Sequence, residues 1–183
     1  MISIELWDVD THFAIADWLV KAGRESGSPL LLRLAFAQKA MSAVLAGDLG
    51  EALTATAEEE AIAGALGEPP LLHHRLLLAA MRGHREEALE LLRAGAAPGG
   101  HVANPHWAES LLHNGLADHS AARAATEHGD LFLTGAALPE LVEAAVKCHE
   151  PAEAARALEE LTDRTQAAAP RSATVSRRTP EAS

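Results

Sequence analysis

Four short corner sequences recur along this chain at nearly equal intervals, and this recurrence limits its fold more than any other feature. They are AGDLGEAL (46–53), RGHREEAL (82–89), LADHSAAR (116–123) and CHEPAEAA (148–155). Each places a turn residue five positions before an alanine, and those alanines are Ala52, Ala88, Ala122 and Ala154. Their spacings are 36, 34 and 32 residues. Repetition at such a period predicts stacked structural units, each burying its apolar face on a neighbour.

A period of about 34 residues is that of tetratricopeptide-type helix–turn–helix repeats. Gly47 and Gly83 supply the backbone freedom that a tight corner needs, and His149 stands at the equivalent place in the last corner. The alanine five residues later is predicted to lie where the two helices of a pair touch. A larger side chain there should force the helices apart.

The composition favours helices throughout. Hydrophobic residues make up 48% of the chain but aromatic residues only 3%, and the apolar content is mostly Ala and Leu, the strongest apolar helix formers. We therefore predict an all-α fold of antiparallel helix hairpins stacked as a tetratricopeptide-like α-solenoid. The predicted helices are 8–25, 30–46, 49–65, 70–82, 85–95, 102–115, 119–128, 134–148 and 151–166.

The predicted repeat domain spans residues 1–166, and residues 167–183 lack periodicity, which predicts a disordered tail. Pro151 suits the first turn of the last helix, whereas Pro139 predicts that the preceding helix begins or kinks there. The first helix carries Trp7, Phe13, Ile15 and Trp18, and it is predicted to be the second half of a missing repeat. Both ends are expected to be uncovered surfaces.

Cys148 and His149 raise the possibility of a Cys/His hydrolase. Neighbouring residues on a helix point about 100° apart, so adjacency in sequence does not bring a nucleophile and a base into contact. Cys148 also falls on the apolar stripe of its helix, where a free cysteine acts as a small hydrophobic residue. We therefore expect a chain that is not an enzyme, and the hydrolase remains a remote alternative.

The remaining polar residues carry weak signals for chemistry. The histidine pairs at 101/106 and 113/119 are 5 and 6 residues apart, whereas two ligands on one helical face need spacings of 3 or 4. No P-loop or GxGxxG run is present, so we expect no metal and no cofactor. Histidines are expected to be solvated or partly buried at corners, and the acidic run 58–60 is interpreted as a solvated face. Trp18 and Trp107 are interpreted as core or groove residues, with Trp107 the better groove candidate.

Charge and cysteine content limit the partners and the compartment. The formal net charge is −11, and three arginines against one glutamate give residues 170–183 a charge of +2, which leaves −13 on residues 1–169. Such a body repels a phosphate backbone, so direct nucleic-acid binding is not expected. A single cysteine, an acidic start and the lack of a long apolar run predict a cytoplasmic protein with no membrane contact.

Two runs resemble the helical-repeat region of the large LuxR-family transcriptional regulators of actinobacteria. They are LLHNGLADHSAARAA (111–125) and ALPELVEAAVKCHEPAEAARALEELTDRT (137–165). The family pattern is LxNGLGRYxxAxxAA followed by ALPELVEAAxRxGRPxxAxxALxxLxxRT, and the likeness extends over about residues 6–165. His149 and Ala117 depart from it because they stand where the family has corner glycines.

The resemblance implies a regulatory or sensor segment that contacts a protein partner or a small-molecule effector. The family's ATP-binding and DNA-binding modules cannot be carried over, because the chain lacks the residues that would form them. The pattern stops after Thr165, which predicts a truncated or fragmentary regulator, and a frameshift near codon 166 would explain the change. The uncovered repeat ends make self-association a further possibility. A free-standing tetratricopeptide-like adaptor is the alternative, and it predicts a stable, cooperative monomer or dimer in isolation.

Overall fold

The computed structural model describes residues 9–98, 105–126 and 134–168, and every regular element within these ranges is an α-helix. The nine helices of these described ranges are α1 (Val9–Ser26), α2 (Pro29–Leu45), α3 (Leu49–Leu66), α4 (His73–Met81), α5 (Arg85–Ala96), α6 (Pro105–Gly115), α7 (His119–Thr126), α8 (Thr134–Lys147) and α9 (Pro151–Ala168). The predicted all-α class is therefore confirmed. The predicted tail lies outside the described residues from 169 onward, as does Trp7.

The helix bounds follow the predicted ones closely, with one informative difference. Helix α4 begins at His73 rather than at residue 70. The segment before it is held by side chains instead, because the Pro69 carbonyl accepts a bond from Arg33 and the Leu71 N–H bonds the Glu59 carboxylate. Helix α8 begins at the predicted Thr134 and contains Pro139, so it does not begin at that proline. The predicted helical residues 102–104 and 127–128 lie outside the described residues.

Contacts between helices follow one rule along the chain. Consecutive helices pair as hairpins, α2 with α3, α4 with α5, α6 with α7 and α8 with α9. The first helices of the hairpins also touch in order, α2 with α4, α4 with α6 and α6 with α8, and we call these four helices the first-helix row. Each second helix reaches the next first helix, whereas second helices do not contact one another in the described part of the chain. Each hairpin therefore packs only on its neighbours.

The four repeated corners share one backbone geometry. The turn residue has a positive φ in every case: 75° at Gly47, 68° at Gly83, 60° at Ala117 and 61° at His149. In each corner the turn residue's N–H bonds the carbonyl three residues earlier, and the next N–H bonds the carbonyl five residues earlier. This pair of bonds is the Schellman motif, which ends a helix on a left-handed residue. Ala117 and His149 therefore occupy positions where a glycine is unstrained and a Cβ is not.

The alanine that follows each corner lies in a helix–helix contact. Ala52, Ala88 and Ala122 are 0% exposed, and Ala154 is 7% exposed. The backbone N–H of each one bonds the carbonyl of the residue just after the turn, so the second helix starts in the same register every time. A methyl group at this position leaves no room for a longer side chain.

The bulkiest packing lies in the first two thirds of the chain. The larger hydrophobic cluster joins residues 76–80 of α4 to Val44, Leu91 and Leu112, and the smaller one surrounds Phe36. Trp18 is 65% exposed on α1, a helix that contacts only α2 among the described helices. The interpretation of Trp18 as a core residue is therefore wrong. No helix in the described ranges is both long and apolar enough to cross a membrane.

Candidate functional site in the first-helix row

A pocket of about 410 Å³ opens where three members of the first-helix row meet. Helix α4 and its corner contribute Met81, Arg82 and Gly83, α6 contributes Leu111, Asn114 and Gly115, and α8 contributes Glu140 and Glu143. Its walls are thus partly apolar and partly charged. This mixture is typical of sites in which a few polar groups orient a ligand against an apolar surface.

A hydrogen-bonded pair joins α6 to α8 inside this pocket. The Asn114 side-chain amide donates to the Glu140 carbonyl oxygen at 2.9 Å and to the carboxylate Oε2 at 3.0 Å. The amide oxygen of Asn114 lies 3.3 Å from Nδ1 of His119 on α7. Since Asn114 is only 7% exposed, these bonds hold the Glu140 side chain in one place.

The pocket carries an excess of negative charge. Burial raises the pKa of Glu140, the Asn114 hydrogen bond opposes that rise, and the neighbouring Glu143 adds to it. Among the described residues that line the pocket, Arg82 is the only cation, against two carboxylates. A positively charged group entering the pocket would reduce the repulsion between the two carboxylates. It would also offset the hydration free energy that the Glu140 carboxylate loses on burial.

The predicted groove aromatic lies elsewhere. Trp107 is half-buried and packs against the larger hydrophobic cluster, and its carbonyl accepts a bond from the Ser110 hydroxyl at 2.8 Å. It lines neither of the two described cavities. The predicted corner residues form the turns and helix contacts already described, and of these only Gly83 also lines the pocket.

Cys148 and His149 occupy the turn between α8 and α9. Cys148 is half-buried, and its backbone N–H bonds the Ala144 carbonyl at 2.8 Å. His149 is exposed and takes the left-handed turn position. Both residues thus form part of the Schellman turn that ends α8.

The sequence interpretation missed a buried polar centre between α2, α3 and α4. Arg33 Nε lies 3.0 Å from Glu59 Oε1, with both side chains almost fully buried. Arg33 Nη2 also donates to the Pro69 carbonyl at 2.7 Å, and the Leu71 N–H reaches both Glu59 oxygens at 3.3 and 3.4 Å. The interpretation of residues 58–60 as a solvated face is therefore wrong for Glu59, which is 0% exposed. The ion pair fixes the segment that leads into α4.

Two histidines are also buried, contrary to the expectation of solvated or partly buried corner positions. His74 is 0% exposed, and neither ring nitrogen has a hydrogen-bond partner in the described part of the chain. Burial, reinforced by His73 and Arg75, lowers the pKa of His74 to about 3. His12 is 1% exposed beside the Gln38 amide, and its pKa is lowered chiefly by burial. Both rings thus lie in the interior, where burial disfavours their charged forms.

The described residues contain no cluster of three or more histidine, cysteine, aspartate or glutamate side chains able to hold a metal ion. His101 lies outside the described ranges. No family model, curated protein or solved structure matches this chain.

Proposed function

We propose that the chain is a helical-repeat contact module, and that it serves as the regulatory segment of a LuxR-type transcriptional regulator. In this role it binds a partner through the pocket of the first-helix row and catalyses no reaction of its own. The regulatory role rests on the resemblance of the two runs at 111–125 and 137–165.

The contact order of the helices supports a tetratricopeptide-like α-solenoid. Each hairpin packs on its neighbours alone, and four corners repeat one Schellman geometry with a small residue at the same place in each second helix. Nearest-neighbour packing of this kind makes an extended surface from the equivalent helices of successive units. The first-helix row is the surface proposed for the partner.

One observation carries the proposal: the two resembling runs meet at the pocket. Leu111, Asn114 and Gly115 belong to the first run, and Glu140 and Glu143 belong to the second. The Asn114–Glu140 hydrogen bond joins them directly. Residues that carry the resemblance therefore also line a cavity. This role is separate from keeping the repeats at equal spacing.

The charge of the pocket favours a basic partner. Two carboxylates face a single arginine there, so a lysine or arginine side chain from a partner protein fits better than an acidic one. Met81 is exposed beside the carboxylates and offers an adaptable apolar surface to the stem of such a side chain.

Selection of peptides from a random phage-displayed library on the immobilised chain tests this function. We expect enriched peptides to share a lysine or arginine and to bind the wild-type chain reversibly. The double variant Glu140→Gln/Glu143→Gln removes both charges while leaving an amide oxygen to accept the Asn114 bond. It should weaken binding of the selected peptides by at least about tenfold, which corresponds to about 1.4 kcal/mol.

The matched control is Glu58→Gln, which removes a charge from an exposed site that lines neither cavity. It should bind the selected peptides as the wild type does. Circular dichroism establishes that the double variant keeps its helices. Failure to enrich any peptide, or peptides that bind the double variant equally well, would overturn the proposal.

A further inference from the structure

The chain carries a basic segment of its own after an acidic body. The formal net charge of −11 divides into +2 on residues 170–183 and −13 on residues 1–169. Two of the three arginines in the basic segment, Arg177 and Arg178, are adjacent in sequence. An acidic body attracts such a segment, and a pair of arginines is attracted most where two carboxylates lie close together.

The pocket of the first-helix row presents two carboxylates within one turn of helix. Glu140 and Glu143 are three residues apart on α8, and residues at that spacing share one face of a helix. The Asn114 amide holds the Glu140 side chain in place, and Glu143 is exposed. Two guanidinium groups suit this pair, because the N–H donors of each match the two oxygens of a carboxylate.

Other acidic sites of the described chain match a pair of arginines less well. A second cavity of about 220 Å³ lies between α3, α4 and α5. Its charged lining residues balance in sign and are Glu60, Arg75, Arg82 and Glu87. On α9, Glu153 pairs with Arg123, and Glu160 pairs with Arg164. The pocket of the first-helix row, with two carboxylates against one arginine, is the stronger match.

The end of α9 lies close enough for the basic segment to reach this pocket. The corner at 148–150 turns the chain back, so α9 runs beside α8 in the opposite direction. With a rise of about 1.5 Å per residue, Ala168 lies about 15 Å past the level of Glu140 along the helix axis. The nine residues that follow, up to Arg177, span as much as about 30 Å, which exceeds this distance plus the width of one helix. Arg171 follows Ala168 by only three residues, a span of about 10 Å, and falls short.

We propose that Arg177 and Arg178 dock into the pocket of the first-helix row of the same chain and exclude a partner from it. Their guanidinium groups meet Glu140 and Glu143, and their side-chain stems lie against the exposed Met81. A tethered segment is present at its site at an effective concentration on the order of 1 mM, so a weak contact is sufficient. The inference rests on the binding role proposed for this pocket and adds a competitor that the chain itself supplies.

Carbodiimide cross-linking of the full chain tests the contact directly, in the variant Arg177→Lys/Arg178→Lys. The reagent activates a carboxylate, and an amine in contact with it forms an amide bond while the reagent leaves as a urea. We expect mass spectrometry to find an amide that joins an introduced lysine to Glu140 or Glu143 within one chain. Links chiefly to the exposed carboxylates of α9, links between two chains, or no link would overturn the proposal.

A labelled peptide of residues 169–183, added to the full chain, measures the competition. The arginines of the wild-type chain should occupy the pocket, whereas those of Arg177→Gln/Arg178→Gln are removed. With a dissociation constant of about 0.1 mM and an effective concentration of about 1 mM, the peptide should bind this double variant about tenfold more tightly than the wild type. Equal binding to the two chains would refute the competition.

The matched control for the competition is Arg171→Gln. It removes a positive charge from the same segment at a position too close to α9 to reach the pocket. The labelled peptide should therefore bind this variant as it binds the wild type. A gain equal to that of Arg177→Gln/Arg178→Gln would mean that the net charge of the segment acts at a distance, and would overturn the docking of the two named arginines.

A second set of changes, added to Arg177→Gln/Arg178→Gln, locates the peptide site. Glu140→Gln/Glu143→Gln should weaken binding of the labelled peptide by at least about tenfold. Glu159→Gln/Asp163→Asn should leave binding unchanged, because these exposed carboxylates of α9 do not line the pocket. The opposite pattern would overturn the assignment, and circular dichroism establishes that each variant keeps its helices.

The outcomes separate this inference from the function proposed above. Enriched library peptides that bind the pocket, together with a 169–183 peptide that does not, would overturn the docking alone. A 169–183 peptide that binds the pocket, without any enriched library peptide, would support the docking and overturn only the partner proposed for the pocket.

Discussion

The α2–α4 region and the α7–α9 region have the same hairpin design but are held together differently. The first contains large apolar side chains and a buried ion pair, Arg33 with Glu59. The second is packed mainly through alanines, with Ala144 and Ala145 fully buried, and its ion pairs between Arg123 and the two glutamates Glu150 and Glu153 are partly exposed.

The helix corners of the two regions also differ in their residues. The α2–α3 corner has Gly47 at the left-handed position and Asp48 as N-cap, with its carboxylate accepting the Glu51 N–H at 2.9 Å. The α8–α9 corner has His149 and Glu150 at the equivalent positions. One backbone geometry is therefore formed by residues with different conformational preferences. We expect the two regions to differ in stability, and the contrast predicts which region tolerates change.

The largest expected effect follows removal of one partner from the buried ion pair. Glu59→Ala should destabilise the fold by about 3 to 5 kcal/mol, because Arg33 is left as an uncompensated buried charge. Urea unfolding followed by circular dichroism measures the loss. Glu58→Ala, at an exposed position of the same helix, should change stability by less than about 0.5 kcal/mol.

Arg123→Ala extends this comparison to the other region. Its ion pairs are partly exposed, with 29% of the Arg123 side chain accessible, so its loss should cost less than about 1 kcal/mol. If Arg123→Ala lowered the free energy of unfolding as much as Glu59→Ala does, the ion pairs of the two regions would not differ in their contribution to stability.

A larger side chain at a corner alanine should strain the alanine-packed region. Ala154→Leu inserts three carbons where α8 and α9 touch, and overpacking of this kind costs about 1 to 3 kcal/mol. Ala155→Leu is the control because the next residue is exposed. Thermal melts of the two variants should therefore separate clearly, and identical melts would mean that the corner alanine does not set the helix spacing.

Acidification should weaken the α2–α4 region through His74. Its pKa is about 3 in the folded chain against about 6.5 in an unfolded one, so below pH 6.5 the unfolded chain binds a proton that the folded chain excludes. Stability is therefore complete above about pH 6.5 and falls toward pH 3, by about 2 kcal/mol at pH 5.

Urea unfolding at pH 7 and pH 5 measures this loss in the wild type and in His74→Leu. The variant should lose about 2 kcal/mol less on acidification, because its side chain does not titrate. His12, whose pKa is also lowered, contributes a loss of the same sign to both proteins. Glu140 has a raised pKa and acts in the opposite direction at lower pH. An unchanged pH dependence in the variant would contradict the burial argument.

The smallest expected effect is a gain. His149 and Ala117 have a left-handed backbone with φ near 60°, which is strained for a residue with a Cβ and unstrained for glycine. Glycine also gives the unfolded chain more conformational entropy, which opposes the gain. The net effect of each replacement should be a stabilisation of about 0.5 to 1 kcal/mol. Gly83→Ala is the converse control and should destabilise by a similar amount. A clear loss in His149→Gly would mean that the imidazole makes a stabilising contact.

Periodic features were predictable because local rules generate them. The helix bounds agree within a few residues, since the Ala- and Leu-rich composition and the corner punctuation act over one or two turns of chain. The start of α4 was misplaced because the bond from Arg33 to the Pro69 carbonyl holds the preceding segment. That bond joins residues 36 positions apart, so no local sequence pattern predicts it.

The candidate pocket was not predictable as a site, although several of its residues lie in the two runs that carry the family resemblance. Asn114 and Glu140 are 26 residues apart, and only the contact between α6 and α8 brings them together. Trp107 was the better groove candidate by composition, yet it packs on the core. Thr56 has a buried hydroxyl with no hydrogen-bond partner in the described residues. No sequence pattern indicates this, because the lack of a partner depends on the surrounding helices.

The sequence by itself determined the helical class, the spacing of the corners and the alanine in each helix contact, because these depend on interactions between residues close in the chain. The tertiary structure decided which charges and histidines are buried and where cavities open. Glu58 and Glu59 are adjacent and chemically identical, but one is exposed and the other lies at 0% exposure against an arginine. Burial is set by the neighbouring helices, and burial determines what a side chain can do.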